Sequence, residues 1–527
     1  MAEIKGTIAG KNIVVYSPKC GNRYSDSDIS NYLRKFSLYK ALRLIGELSH
    51  QLIKSRKEIY YIHGIPVTNG ILAYLTMLLI ENSNDYRSKD MSVDDLLVAI
   101  DMFFGLSDPF EEDPENSKGF LVRLGLSQFD YDREVRNLLP RTLILYDRLW
   151  NSSASKCKAD VSAAIQEISG LKLSEILVLG LTFSGFANKG FFHLHEGINE
   201  KREFFQDCFS IEKQKIFFNW ISCTYDEFRS LSRSEAPPKA SYDKYRFNPL
   251  FLKPAITPDR NVKPGFPQVY LTPIPSLIYE KVTRNLYFSL AKHFADPKGN
   301  LFRSSFGFVF EEYVGLLLKQ FFGEHNVKPE WRYGSKRYPK DTLDWFVVYN
   351  GSAILVEVKQ SGLYLDAKKW GRAEDVQKSL MRSIGSGVNQ MWEFECDVSN
   401  DSSITPEEIE EIKIAERLVV TYDRSYFLNS ILRDEIKKIY PSISDSYHWH
   451  AIAIEELEYF LGIVGKELIV SLTEKRLDAN FNDMEFKDYF SRKYPGRIWV
   501  NPYLDTIYSD FLGELGFSDK EIREKIF

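Results

Sequence analysis

The stretch DTLDWFVVYNGSAILVEVKQ, from Asp341 to Gln360, decides the fold of the second half of this chain. Asn350-Gly351 is the preferred dipeptide for a two-residue type I′ turn, and the apolar runs on both sides predict two antiparallel strands. In such a hairpin the numbers of facing residues sum to 701, as 344 and 357 do. Asp344 and Glu357 are therefore predicted to face each other, about 5 Å apart at Cβ. Lys359 lies two residues beyond Glu357 and projects from the same face.

Two facing carboxylates on a mostly apolar hairpin repel each other, and burying them costs several kcal/mol without a compensating cation or protons. A divalent metal would compensate them, because oxygen ligands suit Mg²⁺ or Mn²⁺ and leave positions open for water and a phosphate oxygen. A neighbouring lysine would position the attacking water or stabilise charge in the transition state. The pattern therefore indicates phosphodiester hydrolysis.

The alternative is a solvated sheet face on which the two acids merely pair with lysines such as Lys359 and Lys340. Unbonded carboxylates are poorly placed on an apolar face. The face that carries Asp344 and Glu357 is apolar, which argues against this alternative, because it also carries Phe346, Val348, Ala353 and Leu355.

A further acid is expected from the amphipathic helix FGFVFEEYVGLLLKQFF, Phe306 to Phe322, which precedes the hairpin. Glu311 shares a helical row with Gly315 and Leu318, and such a row can lie against a sheet. Glu312 shares its row with Lys319 instead. Glu311 is the preferred candidate.

This order of residues resembles the PD-(D/E)xK nuclease superfamily, which has the restriction-endonuclease-like fold: an Asp on one strand, Glu-x-Lys on the next, and a Glu on a preceding helix. Gly307 to Glu311 is similar to the G-x-x-F-E start of that helix, and Leu343 replaces the proline of the family name. The resemblance implies that a catalytic Mg²⁺, for which Mn²⁺ can substitute, is held by four groups, and that Lys359 assists catalysis. The metal ligands it implies are Asp344, Glu357, Glu311 and the backbone carbonyl of Val358.

A basic segment, KQSGLYLDAKKWGR, follows the hairpin. In restriction-like folds this region approaches the nucleic-acid backbone, so the resemblance implies contacts from Lys368, Lys369 and Arg372, and Gln390 on the next helix could support the site. A charge run by itself is usually a solvated face, and that alternative stays open.

The predicted fold class is α+β or α/β, with an α-β-β-β-α-β restriction-endonuclease-like core and helical additions. Four parts are predicted: a mainly helical region 1–235, a proline-rich strap 236–275, a nuclease domain 276–465 and a helical extension 466–527. The strap follows from the nine of 21 prolines that lie between Pro237 and Pro275. Strands are predicted at 11–17, 328–337, 417–423 and 447–454, and helices at 69–82, 92–104, 132–150, 160–186, 200–230 and 276–295, with one ending near 440 and one starting at 455.

Composition narrows the class of protein. The 527 residues are 44% hydrophobic and 27% charged with a formal charge of −5, which excludes fibrous and disordered chains and any global basic field. The apolar run Ile71 to Ile80 is about half of the roughly 20 residues that a bilayer-spanning helix needs. The start MAEIKGTIAG lacks the apolar core of a secretion signal, and five cysteines form no CxxC pair. A cytoplasmic protein without membrane contact is expected.

Other motifs are weak or absent. There is no GxxxxGK[ST] or GxGxxG nucleotide-binding motif, so the chain is not expected to hydrolyse ATP by itself. His193, His195 and Glu196, and separately His448 and His450, could bind a transition metal, but neither set has further partners at recognisable spacing. Ordinary surface or core histidines are the favoured interpretation.

The function predicted from these patterns is a Mg²⁺-dependent endonuclease acting on nucleic acid, most simply DNA. By resemblance, its role would be prokaryotic restriction or anti-phage defence. The large non-catalytic N-terminal half suggests that target recognition or a regulatory partner gates the activity. One site cuts one strand, so double-strand cleavage would require a homodimer or repeated attack. Two alternatives stay open: a nuclease of repair, recombination or RNA processing, and a catalytically silent nucleic-acid-binding scaffold on the same fold.

Overall fold

The computed structural model describes residues 3–8, 11–16, 23–55, 60–106, 135–153, 156–186, 190–194, 209–234, 246–259, 268–297, 299–360, 373–401, 404, 413–424, 429–495 and 500–517. Over these ranges the chain contains both helices and strands and is mainly helical. This agrees in general terms with the predicted α+β class.

The N-terminal region is mostly helical. The predicted strand at 11–17 is confirmed as β2 (Lys11–Tyr16), which pairs with the unpredicted β1 (Glu3–Ile8). The short strands β3 (Tyr60–Ile62) and β4 (Ile65–Val67) form a second hairpin. The helices of this region are α1 (Asp26–Leu33), α2 (Leu38–Ser55), α3 (Asn69–Asn82), α4 (Val93–Phe104), α5 (Val135–Leu143), a π-helical turn (Ile144–Arg148), α6 (Leu149–Ser152), α7 (Val161–Ser169), α8 (Leu173–Phe186), α9 (Ile211–Ile221) and α10 (Tyr225–Ser234).

The helices predicted at 69–82 and 92–104 are confirmed, and both begin at capping side chains, Thr68 and Ser92. The single helix predicted at 160–186 is wrong. Gly170, at φ 76°, ends α7 in the left-handed conformation, and α8 starts three residues later. Apolar periodicity continues through such a break, which is why the pattern hid it.

The continuous helix predicted at 200–230 is also wrong. Helix α9 ends at Ile221, where β6 (Ser222–Thr224) begins, and α10 follows it. Strand β6 pairs in parallel with β7 (Ala255–Thr257), which lies in the proline-rich strap. A three-residue strand that depends on a distant partner leaves no periodic signal of its own.

The proline-rich strap contributes two strands to a four-stranded sheet. Strand β8 (Val269–Leu271) lies between β7 and β5 (Phe191–His193), so the sheet order is β5-β8-β7-β6. A 3₁₀ turn (Pro249–Phe251) precedes β7. The strap is thus joined by backbone hydrogen bonds to the region before it. The predicted domain boundaries themselves stay a prediction.

After the strap, the helix predicted at 276–295 is divided. Helix α11 (Ser276–Val282) and helix α12 (Leu286–His293) are separated at Thr283, whose φ of −118° and ψ of −98° are not helical. A two-residue pair of strands, β9 (Ala295–Asp296) and β10 (Gly299–Asn300), then leads into the long helix α13 (Leu301–Phe322), which is capped by the Asn300 side chain.

The second half is built on a five-stranded mixed sheet of order β11-β14-β15-β16-β17. The strands are β11 (Val327–Pro329), β14 (Trp345–Tyr349), β15 (Ser352–Lys359), β16 (Lys413–Thr421) and β17 (His450–Ala453). The first three are antiparallel to one another, whereas β15, β16 and β17 run parallel. The strands predicted at 417–423 and 447–454 therefore exist, with shifted ends.

The strand predicted at 328–337 is wrong in extent. Only Val327–Pro329 joins the sheet, and the rest forms a separate hairpin of β12 (Arg332–Ser335) and β13 (Tyr338–Asp341). Residues 332–335 do form a strand, as the sequence pattern indicates. That strand pairs with the adjacent segment 338–341 and not with the large sheet.

Helices cover both faces of the large sheet. The face that includes Trp345 and Val356 packs on α13, and the face that includes Phe346 and Leu355 packs on α14 (Ala373–Arg382), α15 (Ile384–Asn400) and α16 (Asn429–Ile439). The chain continues with α17 (Ile454–Val464), a 3₁₀ turn (Gly465–Glu467), α18 (Leu468–Leu477), α19 (Phe486–Lys493) and α20 (Pro502–Glu514).

Each of the two largest hydrophobic clusters joins segments that are far apart in the chain. One hydrophobic cluster joins α5, α13 and one face of the large sheet to α17 and α20, from Leu138 to Leu515. A second joins α1 to α4 with the strap strands. Among the described residues no single helix has the length and apolar composition to cross a membrane, although α7 and α8 together, bent by 49°, meet that test as a pair.

Candidate active site

The hairpin turn has the predicted geometry. Asn350 and Gly351 have φ values of 52° and 73°, as the two central residues of a type I′ turn require. The ladder pairs Tyr349 with Ser352 and Trp345 with Val356, so the predicted register is confirmed. The next pair in this register is Asp344 with Glu357.

Asp344 is held by the neighbouring strand. Its Oδ2 accepts a hydrogen bond of 2.6 Å from the backbone N–H of Val358. One residue of an antiparallel strand directs its N–H and its C=O toward the same neighbour, so the Val358 carbonyl also faces the Asp344 side. Burial raises the pKa of Asp344 well above its usual range, and the nearby Glu357 and Glu311 raise it further.

Glu357 lies at the bottom of the site with 2% of its surface exposed. Burial raises the pKa of its carboxyl, although Lys359 opposes that effect. Its Oε1 accepts a hydrogen bond of 2.6 Å from Lys359 Nζ. Its Oε2 is buried and has no hydrogen-bond partner among the described residues. One oxygen of this carboxylate is therefore available for a ligand.

Lys359 connects strand β15 to helix α15. Its Nζ donates to Glu357 Oε1 and also, at 2.7 Å, to Gln390 Oε1. The sequence predicts Gln390 as a supporting residue on this helix, and the structure brings it to the lysine. The amide fixes the direction of the ammonium group without adding charge.

Helix α15 approaches the site through a glycine. A Cβ atom built at Gly387 would lie 3.1 Å from Glu357 Cγ and 3.3 Å from both methyl carbons of Val419. No larger residue fits here without displacing the acid. The hairpin sequence alone gives no sign of this constraint.

Glu311 reaches the site from the opposite face of the sheet. Trp345 Nε1 donates a hydrogen bond of 3.0 Å to the backbone carbonyl of Glu311, and the indole packs against Gly315. A Cβ atom built at position 315 would lie 2.1 Å from the indole. The sequence prediction that Glu311 and Gly315 share the sheet-facing row agrees with these contacts.

Glu330 and Lys156 act on the charge of Glu311, but neither the hairpin pattern nor the helix pattern predicts them as part of the site. Burial, together with the charges of Glu330, Glu312 and Glu357, raises the pKa of Glu311 to about 7, although Lys156 opposes the rise. Glu330 follows β11. Lys156 lies in the N-terminal region, and its segment contacts α13 because the N–H of Lys158, two residues later, donates a hydrogen bond to Ser305 Oγ. Tertiary packing alone brings both residues to the acid.

Several predicted residues lie outside the part of the chain that the structure describes. These are Lys368, Lys369, Arg372, His195 and Glu196.

The second histidine set has a structural explanation. His450 is fully buried, and its Nε2 lies 3.3 Å from Glu416 Oε2. Glu416 Oε1 also accepts hydrogen bonds from Thr473 and Arg476. This pairing suits the favoured interpretation of a core histidine.

The oxygen donors of the site suit a metal that keeps part of its water shell. Among the described residues, no group of three or more His, Cys, Asp and Glu side chains is arranged to hold an ion by itself. Mg²⁺ does not need such a group, because it usually keeps several waters and binds one or two carboxylates together with phosphate oxygens. The orphaned Oε2 of Glu357, the Asp344 carboxylate and the Val358 carbonyl fit that mode of binding.

Comparisons with known proteins add no relative: no family model, no curated protein and no solved structure matches this chain. The functional argument therefore rests on the site itself.

Proposed function

We propose that this protein is a Mg²⁺-dependent nuclease that hydrolyses phosphodiester bonds in DNA. The observation that carries the proposal is an acid pair with too few cations: Asp344 and Glu357 face each other in a buried site and share Lys359 as their one close cation among the described residues. A carboxylate pair in such surroundings needs protons or a bound cation at neutral pH. The PD-(D/E)xK resemblance supports it, as does the order in residues 301–421 of a helix, three strands of the large sheet with the separate β12–β13 hairpin between the first two, two helices and a fourth strand of the sheet.

Asp344, Glu357 and the Val358 carbonyl would hold the metal, and Glu311 would reach it through one of the waters that Mg²⁺ keeps. When bound, Mg²⁺ would offset the charge of the acids, polarise the phosphate and promote ionisation of the attacking water. Lys359, aimed by Gln390, would stabilise the negative charge that develops on the phosphate oxygens. Trp345 fixes the distance between Glu311 and the hairpin through its hydrogen bond to the helix backbone.

The cofactor, the nucleic-acid partner and the role in restriction or anti-phage defence belong to the same proposal, as does the restriction-endonuclease-like assignment of the core. A nuclease acting in repair or RNA processing would use identical chemistry, and a catalytically silent scaffold would keep the fold without turnover.

The test is cleavage of duplex, branched and single-stranded DNA and of RNA by the full chain, with Mg²⁺, with Mn²⁺ and with a chelator. Asp344→Ala and Lys359→Ala should each lower metal-dependent cleavage of DNA by about 10³-fold, the scale lost when one preorganised electrostatic group is removed. Two control variants remove the same charges elsewhere. Asp90→Ala removes an acid from a surface ion pair, and Lys413→Ala removes an exposed lysine at the opposite end of the sheet. Both should cleave like wild type.

Each other outcome points to a different function. Cleavage that survives both site variants contradicts the assignment of these residues. Binding without cleavage under any metal favours the scaffold, and preferential cleavage of RNA favours the processing nuclease.

A further inference from the structure

A strongly basic hairpin stands beside the candidate site. It consists of β12 and β13, residues 332–341, and is called the basic hairpin below. Its ladder pairs Arg332 with Asp341 and Ser335 with Tyr338, so Lys336 and Arg337 form the tip. The side chain of Tyr338 is 70% exposed, and the guanidinium of Arg337 lies 5.8 Å from the centre of its ring.

The basic hairpin is fixed at both its base and one face. At the base, the Trp331 N–H donates to Thr342 Oγ1 and the Thr342 N–H donates to the Trp331 carbonyl, each at 3.0 Å. On one face, Tyr333 Oη and Lys340 Nζ donate to Asp397 Oδ2 at 2.9 and 2.5 Å. Asp397 lies on α15, the helix that also carries Gln390. The hairpin and the site therefore share a rigid support.

The charge of the basic hairpin differs from that of the whole chain. Residues 332–341 contain four basic residues and one acid, a formal charge of +3, whereas the chain carries −5. Two of the cations are paired, Arg332 with Asp341 and Lys340 with Asp397. Within the described part of the chain, Lys336 and Arg337 have no acidic partner at ion-pair distance.

The position of these cations matters because the site is acidic. Glu330 lies two residues before the basic hairpin, and Asp344 lies three residues after it. A polyanion approaching Asp344, Glu357 and Glu311 meets like charges, so it must be held by cations outside the metal site. The tip of the basic hairpin supplies two such cations on a supported ribbon.

We propose that the basic hairpin binds the phosphate backbone of duplex DNA next to the candidate site, through Lys336 and Arg337. This inference rests on the proposed function for its location beside the bond that is cut. The major groove of B-DNA admits a two-stranded ribbon such as this one, with phosphates along both of its edges. Single strands are bound mainly on rows of exposed aromatic rings, and within residues 332–341 only Tyr338 is such a ring.

The experiment measures binding and leaves cleavage aside. A short fluorescent DNA duplex is titrated with the full chain in chelator over a series of salt concentrations, and anisotropy gives the dissociation constant. Lys336→Ala/Arg337→Ala should weaken binding by roughly tenfold and reduce the slope of log K against log salt by about 2, because each neutralised phosphate contributes about 0.9 to that slope. Lys54→Ala/Arg87→Ala removes two exposed cations from the N-terminal region and should leave both quantities unchanged.

Failure of the inference is separable from failure of the proposed function. Duplex binding that is absent in wild type, unchanged in the tip variant, or reduced equally in the control variant overturns the inference. So does a tip variant that loses binding to single-stranded DNA alone. If the tip variant behaves as expected but wild type cleaves nothing with any metal, the nuclease proposal fails and the contact between the basic hairpin and DNA stands.

Discussion

The protein buries two groups of acids and treats them in opposite ways. At the junction of α5, α13 and α17, Arg141 makes two hydrogen bonds of 2.7 and 2.6 Å to Glu458, and Tyr313 Oη donates a third at 2.5 Å. At the candidate site, Asp344 and Glu357 face each other instead. Buried acids that are paired hold a structure together, whereas buried acids left facing each other are placed for a ligand.

Nearby arginines can lower the pKa of a buried acid, as at Glu455, although burial still raises the pKa of Glu458 in spite of Arg141. Burial by itself would raise the pKa of Glu455, next to the Arg141 group, but Arg284 and Arg424, each 2.6 Å away, lower it to about 2. At the site burial raises the pKa of Asp344 and Glu357, and Lys359 is the cation that opposes it. The difference between Glu455 and these two acids lies in the number of cations around them and not in the depth of burial.

The largest effect on stability is expected from breaking the paired group. Arg141→Ala leaves Glu458 buried without its cation and should lower the free energy of unfolding by about 3–5 kcal/mol. Arg136→Ala, on the same helix, removes a part-exposed arginine that lies 3.4 Å from Asp505. It should cost less than about 1 kcal/mol. Urea denaturation of the three proteins measures both, and equal costs would show that the buried pair has no special role.

At the candidate site, by contrast, a substitution is expected to raise the free energy of unfolding. In chelator, Asp344→Asn removes a charge that its surroundings oppose, while the amide oxygen can still accept the Val358 N–H, so stability should rise by about 1–2 kcal/mol. The thermal midpoint measures this change. Mg²⁺ should raise the midpoint of wild type and not that of the variant. A variant that is less stable than wild type in chelator would show that Asp344 is a structural acid like Glu458.

The dependence of stability on pH separates the two groups further. The pKa of Glu311 is about 7 in the folded protein, above the usual 4.5, so the folded state binds more protons between these values. The contribution of Glu311 to the stability of the metal-free protein should therefore fall as pH rises from 5 to 8, by about 1 kcal/mol after allowance for solvent screening. Glu311→Gln should lack this contribution.

Glu455 behaves in the reverse sense. Its pKa of about 2 means that its stabilisation is present above pH 4.5 and is lost only as pH falls toward 2. It adds no slope between pH 5 and 8. A wild-type slope equal to that of Glu311→Gln over this range, in urea denaturation at each pH, would contradict the raised pKa of Glu311.

The smallest effect is expected at Gly387. An added methyl group must push Glu357 by a few tenths of an ångström, so Gly387→Ala should cost no more than about 1 kcal/mol and lower metal-dependent cleavage several-fold. Gly513→Ala, on α20, meets no atom within 4 Å and should stabilise the protein slightly without changing cleavage. Equal cleavage by both variants would show that the position of Glu357 is not critical.

Local pattern was sufficient where neighbours in sequence are neighbours in space. The Asn350-Gly351 turn, the register that pairs positions 344 and 357, and the helices at 69–82 and 92–104 were predicted because turn geometry and periodicity are local properties. Pattern failed where a short strand depends on a distant partner, as at Ser222–Thr224, or where a glycine interrupts an apolar run, as at Gly170.

The sequence by itself determined which two acids and which lysine share one face of the hairpin, since a two-residue turn permits a single register. Only the tertiary structure decided that Gln390 meets Lys359, that Gly387 confines Glu357, and that Glu330 and Lys156 lie near Glu311. It also decided which buried acids receive arginines. Burial and charge pairing depend on groups far apart in the chain, and no local pattern of residues contains them.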